Sequence, residues 1–305
     1  MSYQKTIRTP ISLAGVALHS GATVSLRLLP APVDTGIRFR RVDLDPAVEI
    51  PAHVSLVTET TLATVLGRNG VEVSTVEHCL AALHGLGVDN AVVEVDGPEL
   101  PILDGSALPY VEAILEAGWE CLGGVRRRLR VTKPIRVSDG DKYVLLRPHR
   151  GYRISYSIEF EGRFPGDQHY YLDVTPESFA LELALARTFG FLADVEFLRS
   201  MGKARGGSLE NAVVLDGNAV LNPGGLRTAD EMVRHKMLDA VGDLALAGHA
   251  IEGHLIVHKG GHALHTKLVR ALLARPDAWE LVDETTPTDQ PVPAPAWREP
   301  VYAYA

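Results

Sequence analysis

His235, Asp239 and Asp243 recur every four residues within Val233-Arg234-His235-Lys236-Met237-Leu238-Asp239-Ala240-Val241-Gly242-Asp243. On a helix they form one narrow polar stripe, with Met237, Leu238, Val241 and Leu244 clustered opposite. Two readings are open. The stripe is the wet face of an amphipathic helix, or it is a ligand set in which a His and an Asp one turn apart offer a nitrogen and an oxygen to one metal ion. A catalytic zinc takes three protein ligands and leaves a position for water. The second reading therefore requires a fold that brings a third ligand from elsewhere in the chain.

At 305 residues the chain is long enough for two domains, each with its own core. The 46% hydrophobic and 22% charged fractions are those of a soluble globular protein. A net charge of −8 without a large basic tract argues against a nucleic-acid partner held through phosphates. The run Arg126-Arg127-Arg128, with Arg130, reads as a solvated linker. Cys79 and Cys121 are too few for a disulfide scaffold, and a reducing compartment follows. Met1 to Thr6 lacks the apolar core of a signal peptide, and no apolar run approaches the ~20 residues of a membrane-spanning helix. The expectation is a cytoplasmic monomer whose contact with lipid, if any, is peripheral.

Ile11 to Leu29 reads as extended, with Gly15 and Gly21 marking turns. Residues 74–86 read as a helix stopped by Gly85 and Gly87, then a strand at Asn90 to Val95 and a helix from about Leu108 to Ala117 ending at Gly118. The second half restarts with strands at Leu129 to Val137 and Lys142 to Arg147. A helix capped at Thr175-Pro176-Glu177 runs towards Ala186, and a short helix near Val195 to Met201 leads into the loop 202–208. Strand-like Ala212 to Leu215, a long helix from Asp230 to Ala247 and a strand from Gly253 to His258 follow. The tail from Thr286 is proline-rich and expected loose on the surface. These elements predict an α+β chain: a first domain over 1–122, a linker at 123–128, a second domain over 129–285 and a tail at 286–305. Each half has a helix with an early histidine, a glycine stop and an apolar strand, namely His78 to Val95 and His235 to Val257. Two related domains packed with these helices face to face would bring His78 close to His235.

His78, His235 and Asp239 would then suit a zinc with its fourth position open to water. Such an ion lowers the pKa of that water and polarises a carbonyl. Hydrolysis also needs a base and an acid. Glu77 can serve as the base, and His262, on the Gly260-Gly261-His262 turn, as the acid, with Asp243 pairing to that imidazole to keep it protonated. Bland alternatives stand beside these. Ser74-Thr75-Val76-Glu77 fits a capping box, and His78, among Cys79, Leu80, Ala81 and Ala82, can be a satisfied core histidine. His258 and His262 have helical spacing, but Gly260-Gly261 interrupts it. His249, His254, His258 and His265 are read as mostly structural or surface groups.

Several motifs resemble one family. Gly15-Val16-Ala17-Leu18-His19-Ser20-Gly21, Ser74-Thr75-Val76-Glu77-His78, Pro98 to Ser106, Ala186-Arg187-Thr188-Phe189-Gly190-Phe191, Val233 to Asp243 and Gly261-His262-Ala263-Leu264 are similar, in order, to the zinc-dependent UDP-3-O-acyl-N-acetylglucosamine deacetylases of lipid A synthesis. The resemblance runs from about residue 3 to residue 281. It implies two α+β domains, each layering a sheet against helices, with the active site between them. It implies removal of the N-acetyl group from a UDP-glucosamine that bears a 3-O-(3-hydroxyacyl) chain, with release of acetate. His78, His235 and Asp239 would hold Zn2+, although the same set also suits Fe2+. Glu77 would be the base and His262, paired to Asp243, the acid. Thr188 would donate to the oxyanion, sharing that charge with the metal and Lys236. An insert at about 191–214 would form the acyl passage, with Val195, Ala204, Gly207, Ser208 and Val214 lining it. Phe160 would stack on uracil, Phe189 would be a further substrate-binding residue, and Lys142 and Lys259 would meet the phosphates. Many family members carry a cysteine where this chain has Ala63, which weakens any second, inhibitory metal site; the loop Lys203-Ala204-Arg205 also departs from the family.

Overall fold

Alternating side chains build the first sheet. In the strand Thr23–Pro30, Val24, Leu26 and Leu28 are buried while Thr23, Ser25 and Arg27 face outward, the period-two pattern of a strand with one wet face. The sheet runs in the order Ile11–Val16, Thr23–Pro30, Ala91–Val95, Ile37–Arg41, Val48–Pro51. Its neighbours are antiparallel except Ala91–Val95 and Ile37–Arg41, which run parallel. The structure is a computed structural model and describes residues 1–284. The proline-rich tail from Thr286 lies outside the described residues.

The second sheet has seven strands centred on Ala250–His258. Lys142–Arg147 pairs antiparallel to one of its edges and Tyr152–Ile158 parallel to the other. Ile135–Asp139 and Gln168–Asp173 extend those edges, while Arg127–Val131 pairs with both Ala250–His258 and Trp279–Asp283. Smaller sheets join Val57–Glu59, Val65–Arg68 and Val71–Val73, and Phe189–Phe191, Val213–Asp216 and Ala219–Val220. Tyr3–Ile7 pairs with Trp119–Val125.

Among the described residues six α-helical segments complete the α+β fold: α1 (Glu77–Gly85), α2 (Leu108–Ala117), α3 (Pro176–Ser178), α4 (Leu192–Ser200), α5 (Glu231–Ala245) and α6 (His262–Leu273). Among the described residues no helix is long and apolar enough to cross a membrane. Every α1 residue except His84 is buried, as expected of a helix that is apolar nearly all round and packed inside a protein. It lies against α5, which buries Met237, Leu238, Val241 and Leu244 but also His235, Asp239 and Asp243. The helices touch backbone to backbone at Gly242, where an added Cβ would fall 2.1 Å from the Glu77 carbonyl oxygen.

Several expectations change. The polar stripe of α5 is not a wet face, because His235, Asp239 and Asp243 are all buried. α1 starts at Glu77 rather than Ser74, since Thr75 takes a left-handed φ of 58° that no helix continues. The segment 129–137 is two strands parted at Pro134, with the Thr132 and Lys133 amides turned to the Ala278 carbonyl. After α3 the chain widens into π-helical Phe179–Leu183, with the Ala184 amide bonded to the Phe179 carbonyl, instead of running as one α-helix to Ala186. Gly15 lies within a strand, whereas Gly21, at φ 73°, does mark a turn. The arginine run is only partly solvated: Arg127 is exposed, but Arg126 is buried, paired to Asp89 at 2.8 Å and Glu284 at 3.1 Å.

Candidate active site

α1 and α5 bring three donors together. The His78 and His235 rings lie 5.0 Å apart at 88°. Their Nε2 atoms stand 3.6 Å and 3.4 Å from Asp239 Oδ1. That oxygen is buried without a hydrogen-bond partner, a state native structures rarely leave unexplained. The other Asp239 oxygen accepts from Lys236 Nζ at 2.7 Å. His235 Nδ1–H donates to the Ala186 carbonyl at 3.0 Å, which turns Nε2 towards the cluster, as outer-sphere partners do for ligating imidazoles. Burial pushes the His235 pKa down to about 3, so the ring is neutral and its Nε2 lone pair is available. An orphaned carboxylate oxygen facing two imidazole nitrogens, with all three donors within 4.8 Å of one another, fits a divalent cation.

Beside these donors sit a carboxylate and an imidazole, Glu77 and His262. Glu77 makes no cap; its Oε2 accepts the Thr64 amide at 3.0 Å and its Oε1 lies 3.9 Å from His262 Nε2. Burial raises the Glu77 pKa. His262 opens α6, a helix the sequence reading did not foresee, and its Nδ1 is 2.8 Å from Asp243 Oδ2. Burial opposes its charge, but the Asp243, Glu77 and Asp239 carboxylates outweigh that and lift its pKa to about 9. Asp243 is held below the usual carboxylate range: burial works against its charge, and His262 and His265 overcome it. The turn into α1 is braced from outside. Thr75, β-branched and left-handed, is a backbone outlier of the kind found at functional sites. Its hydroxyl meets Glu99 at 3.3 Å, and Glu99 also accepts the His19 and Ser20 amides at 2.7 and 2.8 Å.

The remaining expected residues spread outward. Half-buried Thr188 lies two residues past Ala186 and donates its amide to the Gly105 carbonyl at 2.7 Å. The Phe189 ring is 6.3 Å from His235 and 5.9 Å from Lys236 Nζ, and Phe160 meets Phe189 at 5.9 Å. Lys259 pairs with Asp141 at 2.6 Å and Glu159 at 3.2 Å, and both carboxylates raise its pKa. Lys142 is exposed at the start of its strand. Val195 is half-buried on α4, and Val214 lies in the strand Val213–Asp216. Ala204, Gly207 and Ser208 sit in a loop whose Arg205 and Gly206 amides reach back to the His19 and Leu18 carbonyls. None of Val195, Ala204, Gly207, Ser208 or Val214 hydrogen-bonds to the donor cluster among the described residues.

Sequence reasoning missed two members. His265 donates from Nδ1 to Asp243 Oδ2 at 2.9 Å and is fully buried; its spacing of three from His262 would have shown it had α6 been recognised. Thr64 reaches both Glu77 and Asp243, and no local pattern marks it.

Layered sheets and helices around a buried His–His–Asp set, with a carboxylate and an imidazole beside it, define an α+β protein with a candidate hydrolytic metal centre. The sequence model of UDP-3-O-acyl N-acetylglycosamine deacetylases matches residues 4–274, and the chain belongs to that family. It is 50% identical over 295 residues to UDP-3-O-acyl-N-acetylglucosamine deacetylases of Shewanella frigidimarina and Shewanella pealeana, covering 96% of this chain and 96% of each relative. The same enzyme of Shewanella halifaxensis is also 50% identical over 96% of both chains.

Proposed function

We propose that this protein hydrolyses the N-acetyl group of UDP-3-O-(3-hydroxyacyl)-N-acetylglucosamine and releases acetate, a step of lipid A biosynthesis carried out in the cytoplasm. The relatives' names support the substrate. The observation that carries the chemistry is the orphaned Asp239 Oδ1 facing two imidazoles, with Glu77 and His262 3.9 Å apart beside it. His78, His235 and Asp239 would hold Zn2+ or Fe2+. Such an ion, when bound, polarises the amide carbonyl and makes water more acidic.

The chain's own groups divide the proton work. Glu77 takes a proton from the attacking water, and its raised pKa makes it the stronger base. His262, held protonated by Asp243, delivers a proton to the departing amine nitrogen. Thr188 and Lys236 donate to the carbonyl oxygen as charge builds there. Phe160 and Phe189 form an aromatic surface for uracil, Lys142 and Lys259 meet the diphosphate, and Val195, Ala204, Gly207, Ser208 and Val214 line a path for the acyl chain. The first domain, 1–122, supplies Glu77 and His78, and the second, 129–285, supplies the rest. Acetate release from the acylated UDP-sugar, with and without a chelator, tests the reading. Chelator-resistant activity overturns the metal, and equal turnover of a substrate lacking the 3-O-acyl chain overturns the acyl recognition.

A further inference from the structure

Thr64 sits just before the strand Val65–Arg68 and is fully buried. Its carbonyl accepts the Val76 amide at 3.4 Å, tying it to the start of α1. Its own amide donates to Glu77 Oε2 at 3.0 Å. Its hydroxyl lies 2.6 Å from Asp243 Oδ1 and 3.3 Å from His262 Nδ1. A hydroxyl has one proton, and His262 Nδ1 directs its own N–H to Asp243 Oδ2, so the Thr64 proton goes to the nearer acceptor, Asp243 Oδ1. Asp243 Oδ2 is then left for His262 Nδ1 at 2.8 Å and His265 Nδ1 at 2.9 Å.

One residue thus grips both sides of the proton-transfer pair. We propose that Thr64 is a positioning residue that sets the separation and orientation of Glu77 and His262. Its amide occupies one Glu77 oxygen and leaves Oε1 facing the reaction space. Its hydroxyl fixes the plane of the Asp243 carboxylate, so that Oδ2 meets His262 Nδ1 and Nε2 points towards the leaving nitrogen. Without that bond the carboxylate is free to turn about Cβ–Cγ, because two imidazoles share a single oxygen. An acid must stand within hydrogen-bond reach of the atom it protonates, and a misplacement of about 1 Å costs on the order of a hundredfold in rate. The grip also crosses the fold: Thr64 lies 179 residues from Asp243 and 198 from His262. The inference rests on the reading of Glu77 as base and His262 as acid.

Thr64→Val removes the hydroxyl and keeps both shape and amide, and Thr64→Ser keeps the hydroxyl and drops the methyl. In the metal-loaded enzyme, Thr64→Val should lower kcat for acetate release about tenfold to a hundredfold, as loss of a hydrogen bond to a charged group does. KM should stay within about twofold and metal content should not change, whereas Thr64→Ser should stay within about threefold of wild-type kcat. In a His262→Ala background Thr64→Val should add almost nothing, because residues acting as a unit are not additive. A wild-type kcat in Thr64→Val, a Thr64→Ser as impaired as Thr64→Val, or a full additive loss in the His262→Ala background would each overturn the inference. If Thr64→Val does not fold, Thr64→Ala replaces it, and a Thr64→Ala as active as Thr64→Ser overturns the inference equally. Glu77→Ala and His262→Ala assayed alongside separate the two levels. Full activity in those variants removes the base and acid themselves; their collapse with an unimpaired Thr64→Val removes only the role of Thr64.

Discussion

Replacing Gly242 by alanine tests the contact on which the whole cluster depends. The new Cβ would lie 2.1 Å from the Glu77 carbonyl oxygen, 2.8 Å from its carbonyl carbon and 3.0 Å from its Cα. All three are main-chain atoms, so no rotamer change relieves the overlap. Comfortable contact needs about 3.5 Å, and the helices must part by roughly 1 Å. Helix propensity alone would favour alanine by about 1 kcal/mol. Overpacking a dense interior costs about 1–3 kcal/mol or more, and a backbone obstacle belongs at the upper end, which leaves a net loss of roughly 2 kcal/mol. The functional effect should be larger. Glu77 and His78 ride on α1, while His235, Asp239 and Asp243 ride on α5. Metal sites tolerate departures of about 0.2 Å in ligand distance, so parting the helices should weaken metal binding by at least the ~10–100-fold that loss of a supporting group brings. Thermal unfolding of the chelator-treated protein and competition titration of the ion measure the two effects separately. A variant with wild-type melting and wild-type metal affinity would refute the close-contact argument.

Glu77→Gln should retain the metal and lose about 10²–10⁴-fold in kcat, the usual worth of an acid–base group; a fully active variant removes Glu77 from the mechanism. The log of kcat/KM should rise with pH as Glu77 ionises above its ordinary 4.5 and fall as pH passes about 9, where His262 loses its proton, both apparent values belonging to the coupled set. The same shift sets a stability window. The His262 pKa is raised from 6.5 to about 9, so its contribution is complete below 6.5 and is lost as pH rises through about 9. A melting temperature of the metal-free protein that stays flat across that window contradicts the Asp243–His262 pairing. Arg187→Ala should destabilise by about 3 kcal/mol, because fully buried Glu231 loses its guanidinium partner at 2.8 and 3.1 Å and keeps only the Arg187 and Arg227 amides. Equilibrium urea unfolding measures this, and a loss under about 1 kcal/mol would mean that water reaches the carboxylate.

Where local rules govern, sequence and structure agree. α2 occupies Leu108–Ala117 as read, with proline in its first turn and Gly118 beyond its end at φ 68°. The strand Lys142–Arg147 also keeps its bounds. The start of α1 moved because Thr75 is held left-handed by a bond to Glu99, which lies 24 residues away. The capping-box pattern at Ser74 to Glu77 misled for the same reason: the Glu77 carboxylate turns inward to the Thr64 amide instead of back to its own helix. α6 escaped notice because it follows two glycines and has no side-chain cap.

The sequence by itself determined that α5 is a helix with His235, Asp239 and Asp243 on one stripe, since a 3.6-residue period is a property of neighbours along the chain. It carried the order of motifs by which the chain is placed in its family. Only the tertiary structure decided that the stripe is buried, that Asp239 faces His78 and His235 while Asp243 turns to His262 and His265, and that Thr64 joins them. A carboxylate's role depends on which groups share its low-dielectric surroundings. Those groups come from α1, α6 and the segment before Val65, and it is the packing of α1 against α5 at Gly242 that brings α1's Glu77 and His78 to the α5 stripe.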